Sequence, residues 1–308
     1  MKALITGGAG FIGSNVADLL IENKIDVIVL DNLSSGKMEN VNPRIKFYKC
    51  DIRDRKVFEI IDIERPEIVI HNAAQISVRN SVDDPESDAD INIAGSINIF
   101  EACKKTGIKK IIFASSGGTV YGEQQYFPAD EKHPAKPISP YGISKLSVEK
   151  YLYYYYVNFG IKYVALRYAN IYGPRQDPHG EAGVVAIFSK NILSDSQPII
   201  NGDGKQTRDY VYVKDVAAAN LLAIQKDFTG EINIGTGIET NVNDIFNILK
   251  DAAGCRDLEE IHGPSKEGEQ KRSVLSYKKA YEILGWKPEV KIKEGLVETF
   301  KWFKESDT

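Results

Sequence analysis

Leu4-Ile5-Thr6-Gly7-Gly8-Ala9-Gly10-Phe11-Ile12-Gly13 is the stretch on which the reading of this chain turns. Lys2–Thr6 has the unbroken apolar character of a buried strand, and Phe11–Glu22 carries helical spacing. Between them Gly8, Gly10 and Gly13 satisfy G-x-G-x-x-G, and Gly7 adds the related G-x-x-G-x-x-G spacing. One glycine makes the tight turn, one lets the backbone approach a pyrophosphate, and the last lets the helix pack close to the strand. The helix start then offers unpaired N–H groups and the positive end of its dipole to phosphate. A second strand over Asp26–Leu30 is followed by Asp31, 18 residues beyond Gly13. That is the distance at which a carboxylate grips an adenosine ribose; it would repel a 2′-phosphate, so NAD is favoured over NADP. No Gly-Lys-Ser/Thr follows, which excludes a P-loop.

Outward from the loop, strands and helices alternate. Strands are expected at Ile45–Lys49, Glu67–His71, Lys109–Ser115 and Lys162–Arg167, with helices at Lys56–Ile63, Ala89–Lys105 and Pro140–Phe159. Such βαβ repetition predicts an α/β fold with a Rossmann-type doubly wound parallel sheet. After Gly173 the chain turns loop-rich at Pro174, Pro178, Gly180 and Gly183. Shorter elements follow: helices near Val184–Leu193, Asp215–Gln225 and Asn243–Ala253, strands near Pro198–Ile200 and Tyr210–Val213. The expected division is an NAD-binding domain over 1–173 and a smaller substrate-binding lobe over 174–308, interleaved with the first.

The 308 residues suit about two such lobes. Lysine and arginine total 39 against 43 aspartates and glutamates, a net charge of −4. That excludes a bulk basic field, so no nucleic-acid or membrane partner is expected. Cys50, Cys103 and Cys255 are odd in number and scattered, and the four histidines have no metal-ligand spacing. With no apolar run long enough to span a bilayer, the expectation is a cytoplasmic protein with buried thiols and no metal. The run Tyr151 to Tyr156, tyrosine throughout except Leu152, reads as core or subunit interface.

Ser139-Pro140-Tyr141-Gly142-Ile143-Ser144-Lys145 is the second constellation. Ser139 can cap a helix and Pro140 suits its first position. Tyr141 and Lys145 then stand one turn apart on one face. A free tyrosine near pKa 10 is a poor base. The Lys145 ammonium, the helix N-terminus and an oxidised nicotinamide are expected to lower it. Upstream, Phe113-Ala114-Ser115-Ser116-Gly117-Gly118-Thr119-Val120-Tyr121-Gly122 forms a hydroxyl-rich turn at a strand's C-terminal end, where open parallel sheets bind ligands.

These segments together resemble the extended short-chain dehydrogenase/reductase family, most closely its nucleotide-sugar 4-epimerases of the UDP-glucose/UDP-galactose type. The resemblance also rests on Asp31-Asn32-Leu33-Ser34-Ser35-Gly36, His71-Asn72-Ala73-Ala74-Gln75, the run from Leu166 to Arg175, and the run from Gly202 to Tyr210. It implies tightly held NAD, contacted by Gly7, Gly10, Phe11, Ile12, Gly13, Asp31, Asn32, Ser35, Gly36, Asp51, Ile52, Ala73, Ala74, Gln75, Asn92 and Tyr168, with Tyr141 and Lys145. It implies that Tyr141 takes the proton of the sugar 4-OH while Lys145 holds the ribose. A UDP-sugar would meet Ser77, Ser116, Gly117, Tyr141, Asn170, Val184, Asn201, Arg208, Lys266 and Glu269, with Asn170 and Arg208 on the diphosphate. A homodimer through the helices Ala89–Lys105 and Pro140–Phe159 is implied as well.

Several positions depart from the family pattern. Gly117 stands where a hydroxyl residue contacts the sugar 4-oxygen, which leaves Ser115, Ser116 or Thr119 to supply it. Asn201 stands where an aromatic often stacks on uracil. Lys266-Glu267-Gly268-Glu269 replaces Arg-x-Gly-Asp, with Arg272 as a compensating cation. Ser273 is small where a tyrosine restricts some relatives to hexoses, so UDP-N-acetylglucosamine is an alternative substrate, as is UDP-glucuronate. A UDP-glucuronate decarboxylase is a further alternative. Gly118-Thr119 lacks the acid pair of a 4,6-dehydratase, and a non-catalytic dinucleotide sensor should have lost Tyr141 or Lys145.

Overall fold

The computed structural model describes residues 1–179, 183–255, 257–265 and 270–306. Its strands are, in chain order, β1 (Lys2–Thr6), β2 (Asp26–Asp31), β3 (Lys46–Lys49), β4 (Ile68–His71), β5 (Lys110–Ser116), β6 (Lys162–Tyr168), β7 (Asn170–Tyr172), β8 (Ile199–Asn201), β9 (Thr207–Tyr212), β10 (Gly230–Ile234), β11 (Glu239–Asn241), β12 (Ile261–Gly263) and β13 (Arg272–Ser273).

Seven of them form one sheet in the order β10-β6-β5-β4-β1-β2-β3, and every pairing in it is parallel. The sheet is doubly wound, as expected. The chain leaves β1 toward β2 and later returns on the other side through β4, so the switch point falls between β1 and β4. The crevice for a ligand opens at the carboxyl ends of those two strands.

Both faces are covered, which explains strands that are apolar without alternation. One face packs Val16, Ala17 and Leu20 of the helix Phe11–Glu22 with Val216, Ala219 and Ala223 of the helix Val213–Gln225. The other packs Val57, Ile60 and Ile61 of Lys56–Glu64, Ile99 and Phe100 of Gly95–Thr106, and Val148, Leu152 and Tyr155 of Pro140–Phe159. Of the tyrosine run only Tyr155 joins this core; Tyr151, Tyr153, Tyr154 and Tyr156 are exposed. Cys50 and Cys103 are buried free thiols, whereas Cys255 is exposed, contrary to the expectation for it.

The later part of the chain builds a smaller sheet from β7, β9, β11 and β13, with β8 and β12 paired separately. Its own core joins Val185 and Phe188 of the helix Val184–Leu193, Ile245 and Phe246 of Val242–Ala253, and Leu296 and Phe300 of Ile292–Ser306. Yet β10, well past residue 173, is the edge strand of the large sheet.

The helix expected over Ala89–Lys105 is different in the structure. A turn begins at Pro85, a π-helical segment spans Asp90–Ala94, and regular helix resumes at Gly95–Thr106. Asp84 caps the start through Ser87 N. The wide turn keeps Asp88 and Asn92 both buried. At its end Gly95 lies against Ile52, where a Cβ would come within 2.7 Å of Cδ1.

Candidate active site

The glycine loop is built by contact. Gly7 has φ +68, and a Cβ there would lie 2.6 Å from Ala73 N; on Gly13 it would lie 2.2 Å from Gly7 O. Gly10 differs: a Cβ would meet only Gly7 O, at 3.3 Å, so its outer side is open. Gly10 is also the N-cap of Phe11–Glu22, with no side-chain cap and no acidic residue in the first turn. The helix's first N–H groups therefore remain available to an anion. That open glycine and uncapped helix fit the pyrophosphate of a dinucleotide.

Asp31 is buried, and its carboxylate accepts from Ala9 N at 3.0 Å and Leu33 N at 2.8 Å. It thus ties the β2 end to the glycine loop; Gly36 packs against both Ala9 and Asp31. Asn32 donates to Asp51 at 2.9 Å. Arg53 makes two bonds of 2.9 Å to Asp51 and holds its carboxyl well below the usual range. These groups line one rim of the crevice beside Ile52, whose carbonyl accepts from Asn98 at 2.7 Å.

At the switch point His71 is fully buried, and burial depresses its pKa to about 3. The ring is neutral, and its neighbours fix the tautomer. Ala73 N–H donates to Thr6 Oγ1 at 3.3 Å, and the Thr6 hydroxyl donates to His71 Nδ1 at 2.7 Å. On the other side Ser96 Oγ donates to Asn92 O, leaving Ser96 to accept from His71 Nε2–H at 2.9 Å. The chain of bonds fastens β1, β4 and the 72–75 loop, a structural role. Asn92, expected at the cofactor, spends its amide on Gln75 N, Gln75 O and Asp88. Gln75 likewise bonds Ser77 O and Asp88. Ser77 caps the short helix Val78–Asp83 through Asn80 N. Tyr168, also expected at the cofactor, has its ring in the core and its hydroxyl accepting from Asn220 at 2.8 Å. It fills the far face of the sheet, a correction that follows from side-chain alternation along β6.

Ser139 caps the helix Pro140–Phe159 through Gly142 N, and Gly160 at φ +70 ends it. This sets Tyr141 and Lys145 on one face. Lys145 is buried, its ammonium 5.6 Å from the centroid of the Tyr141 ring and 4.9 Å from that of Phe113. It donates to Ala114 O at 2.9 Å, which aims it at the end of β5. Burial pulls the Lys145 pKa down to about 8, against the pull of Asp88 and Glu149. For Tyr141 the expected drop is reversed in the chain itself. Burial raises the phenol above its ordinary value, and Asp88 adds to the rise. Desolvation of a phenolate outweighs one ammonium that is itself being desolvated.

Of the candidate hydroxyls, Ser115 is spoken for: it is buried and donates to Glu149 at 2.6 Å. Glu149 is also gripped by Arg167 at 2.9 and 2.6 Å, and Arg167 donates to Tyr121 at 3.0 Å. Ser115 therefore belongs to a structural ion-pair network and leaves the catalytic set. Ser116, next along β5, is partly exposed, and Thr119 Oγ1 is buried without a partner. Gly117 is buried under Leu275.

Beyond β6 a pocket is lined by Asn170, Tyr172, Val184, Gln206, Arg208 and Tyr210. It brings together three expected substrate residues, Asn170, Val184 and Arg208, from three separate elements. Asn201 lies on β8, where its carbonyl accepts from Gln206 at 3.2 Å. Arg272 is bound to Glu239 at 3.0 and 2.6 Å and stacked on Phe127 at 3.8 Å; its charge is already paired, and a role as spare phosphate clamp finds no support. Lys266 and Glu269 lie outside the described residues. Asp88 is the residue that sequence reasoning passed over. Its signal was one carboxylate among Asp83, Asp84, Glu86 and Asp90, four residues before Asn92 and just ahead of the helix expected from Ala89.

A family model described as the NAD dependent epimerase/dehydratase family matches residues 3–235. A crystal structure of a UDP-glucose 4-epimerase from Thermotoga maritima with UDP-glucose is 51% identical, covers 100% of both chains and superposes with a TM-score of 0.97. A Thermus thermophilus UDP-glucose 4-epimerase in complex with NAD is 43% identical over 99% of each chain, TM-score 0.93. A UDP-N-acetylglucosamine 4-epimerase from Methanobrevibacter ruminantium is 39% identical over 99% of this chain and 98% of that one, TM-score 0.94.

Proposed function

The chain belongs to the NAD dependent epimerase/dehydratase family, and on that premise we propose that it is an NAD-dependent isomerase that interconverts UDP-glucose and UDP-galactose at C4. The observation that carries this reading is the Tyr141–Lys145 pair, aimed by Ala114 O at the mouth of the dinucleotide crevice. NAD, when bound, accepts and returns the C4 hydride, and its oxidised ring adds positive charge beside Tyr141.

The chain's own groups do the rest. Gly10, Phe11, Ile12 and Gly13 present backbone to the pyrophosphate, and Asp31 with Asn32 faces the adenosine ribose. Tyr141 takes the proton from the sugar 4-OH and later returns it, acting as general base and then acid. Lys145 steadies the phenolate as it forms. Ser116 holds the 4-oxygen in place. Arg208 and Asn170 bind the diphosphate; a guanidinium fork suits phosphate oxygens, which is how a chain of net charge −4 accepts a dianion. A firm diphosphate grip lets the 4-keto sugar turn while the nucleotide stays seated. The smaller sheet and its helices serve as the substrate lobe. The chain acts in the cytoplasm as a homodimer through the exposed face of Pro140–Phe159, where Ile143, Tyr151, Tyr154 and Val157 stand out.

One observation supports a wider substrate range. Ser273 on β13 is buried beside Arg208, its register partner on β9. A small side chain there leaves room for a 2-N-acetyl group.

Incubation with UDP-glucose and NAD, followed by proton NMR of the C4 epimers, tests the proposal. UDP-galactose should accumulate to equilibrium, and Tyr141→Phe should lose about 10²–10⁴-fold in kcat. No epimer from any UDP-hexose would overturn it. UDP-N-acetylglucosamine left unchanged would remove the wider range alone.

A further inference from the structure

Asp88 is buried to 1% exposure in the wall of the crevice, on the short turn Pro85–Ala89. Its oxygens take three neutral donors: Ser144 Oγ at 2.6 Å, Asn92 Nδ2 at 2.9 Å and Gln75 Nε2 at 2.9 Å. None of the three donors carries a charge to offset that of a carboxylate. Ser144 sits between the two functional residues, directly before Lys145 and three after Tyr141.

The charges around it are few. From the helix Pro140–Phe159 come Lys145, Tyr141 and Glu149. Glu149 is balanced by its two bonds to Arg167. From β4 comes His71, which is neutral. Arg79 on Val78–Asp83 is exposed, as are Asp84 and Glu86 on the turn itself and Asp90 in the π segment. Among the described residues Lys145 is thus the buried cation nearest at hand for Asp88, through the adjacent Ser144.

We propose that Asp88 is a positioning residue that acts as counter-charge to Lys145, keeping its ammonium protonated in a desolvated wall and setting the pH range in which the Tyr141–Lys145 pair works. It does not touch the reacting atoms; it acts through Ser144 and the field. The direction of both shifts agrees, since Asp88 raises Lys145 and Tyr141 together. Losing the charge lowers both. The inference rests on the epimerase reading above.

Asp88→Asn is close to isosteric. Its oxygen can keep the bonds from Gln75 and Asn92, while its amide donates to a Ser144 hydroxyl turned to accept. In the holoenzyme, pH profiles of kcat for UDP-glucose should then move as a whole. The acid limb, Tyr141, and the alkaline limb, Lys145, should each shift about one unit toward acid. Ser144→Ala, which keeps the carboxylate, should lower the rate without moving either limb. Asp88→Ser is the second neutral variant should the amide fail to fold. A readout free of turnover is the Lys145 ¹³Cε resonance in labelled protein, assigned with Lys145→Met. Its titration midpoint should fall by about one unit from the parent to Asp88→Asn. A folded neutral variant with both limbs and the Lys145 midpoint unmoved overturns the proposal. A parent protein that epimerises nothing overturns the epimerase reading instead, and the Lys145 midpoint still decides this one.

Discussion

Gly117 and Leu275 are in contact though far apart in sequence: a Cβ on Gly117 would lie 2.4 Å from Leu275 Cδ1 and 3.3 Å from Arg167 O. Leu275 is fully buried and its own N–H donates to Asp209 at 3.1 Å, so it cannot retreat freely. The hydroxyl that related enzymes place here has no room. Gly117→Ser should therefore destabilise the fold by about 1–3 kcal/mol through overpacking and bring no gain in rate. Leu275→Ala in the same chain should recover part of that loss. Urea denaturation of the three variants measures it.

The two serines of β5 should separate cleanly. Ser115→Ala removes one bond to Glu149, which keeps Arg167, and should cost about 1 kcal/mol of stability with kcat intact. Ser116→Ala should leave the melting temperature in place and reduce kcat. Equal kinetic losses in both would contradict the placement of Ser115 at Glu149.

In the proposed reaction Arg208, in the pocket with Asn170, supplies the charge for the diphosphate. Its replacement by alanine should raise KM for the UDP-sugar about 10–100-fold, the equivalent of about 1.5–3 kcal/mol for charged hydrogen bonds. Arg208→Lys should fall between, because an ammonium lacks the planar fork. Initial rates over a range of substrate concentration give the split between KM and kcat.

His71 predicts an acid weakness. Its folded pKa, about 3, lies below the ordinary 6.5. Between those values the unfolded chain binds a proton that the folded chain refuses, so stability rises with pH across the window and falls as pH drops. The slope from this one group approaches about 1.4 kcal/mol per pH unit in mid-window. His71→Gln should flatten the urea-derived stability curve by that amount between pH 6.5 and 3. A parallel curve would place the acid sensitivity elsewhere.

What could be read beforehand follows the range of the forces involved. The glycine loop, the Ser139-Pro140 helix start and the Tyr141–Lys145 spacing are local geometry, and each lies where expected. The pairing of β10 with β6, which joins Gly230 to Val164 across the intervening chain, leaves no local mark. Asp88 and Asn92 were obscured because i and i+4 carboxylate and amide look like an ordinary polar helix face. In the structure Asp88 lies on the turn before the π segment Asp90–Ala94, and both side chains are buried. Tyr168 and Ser115 misled for a simpler reason. Motif position names a residue near a site, but strand alternation decides which layer its side chain enters.

The late arrival of β10 has a consequence for how the molecule is made. On the ribosome, the first 173 residues emerge with the β6 edge unpaired. The apolar face of Phe11–Glu22 also lacks Val213–Gln225, which packs against it only later. An open parallel edge beside bare apolar surface is an invitation to pair with a neighbour. The large sheet is therefore completed only once residue 234 has cleared the exit, after β9 and Arg208 of the smaller sheet have been made. A chain cut after residue 173 should leave the β6 edge and the face of Phe11–Glu22 bare.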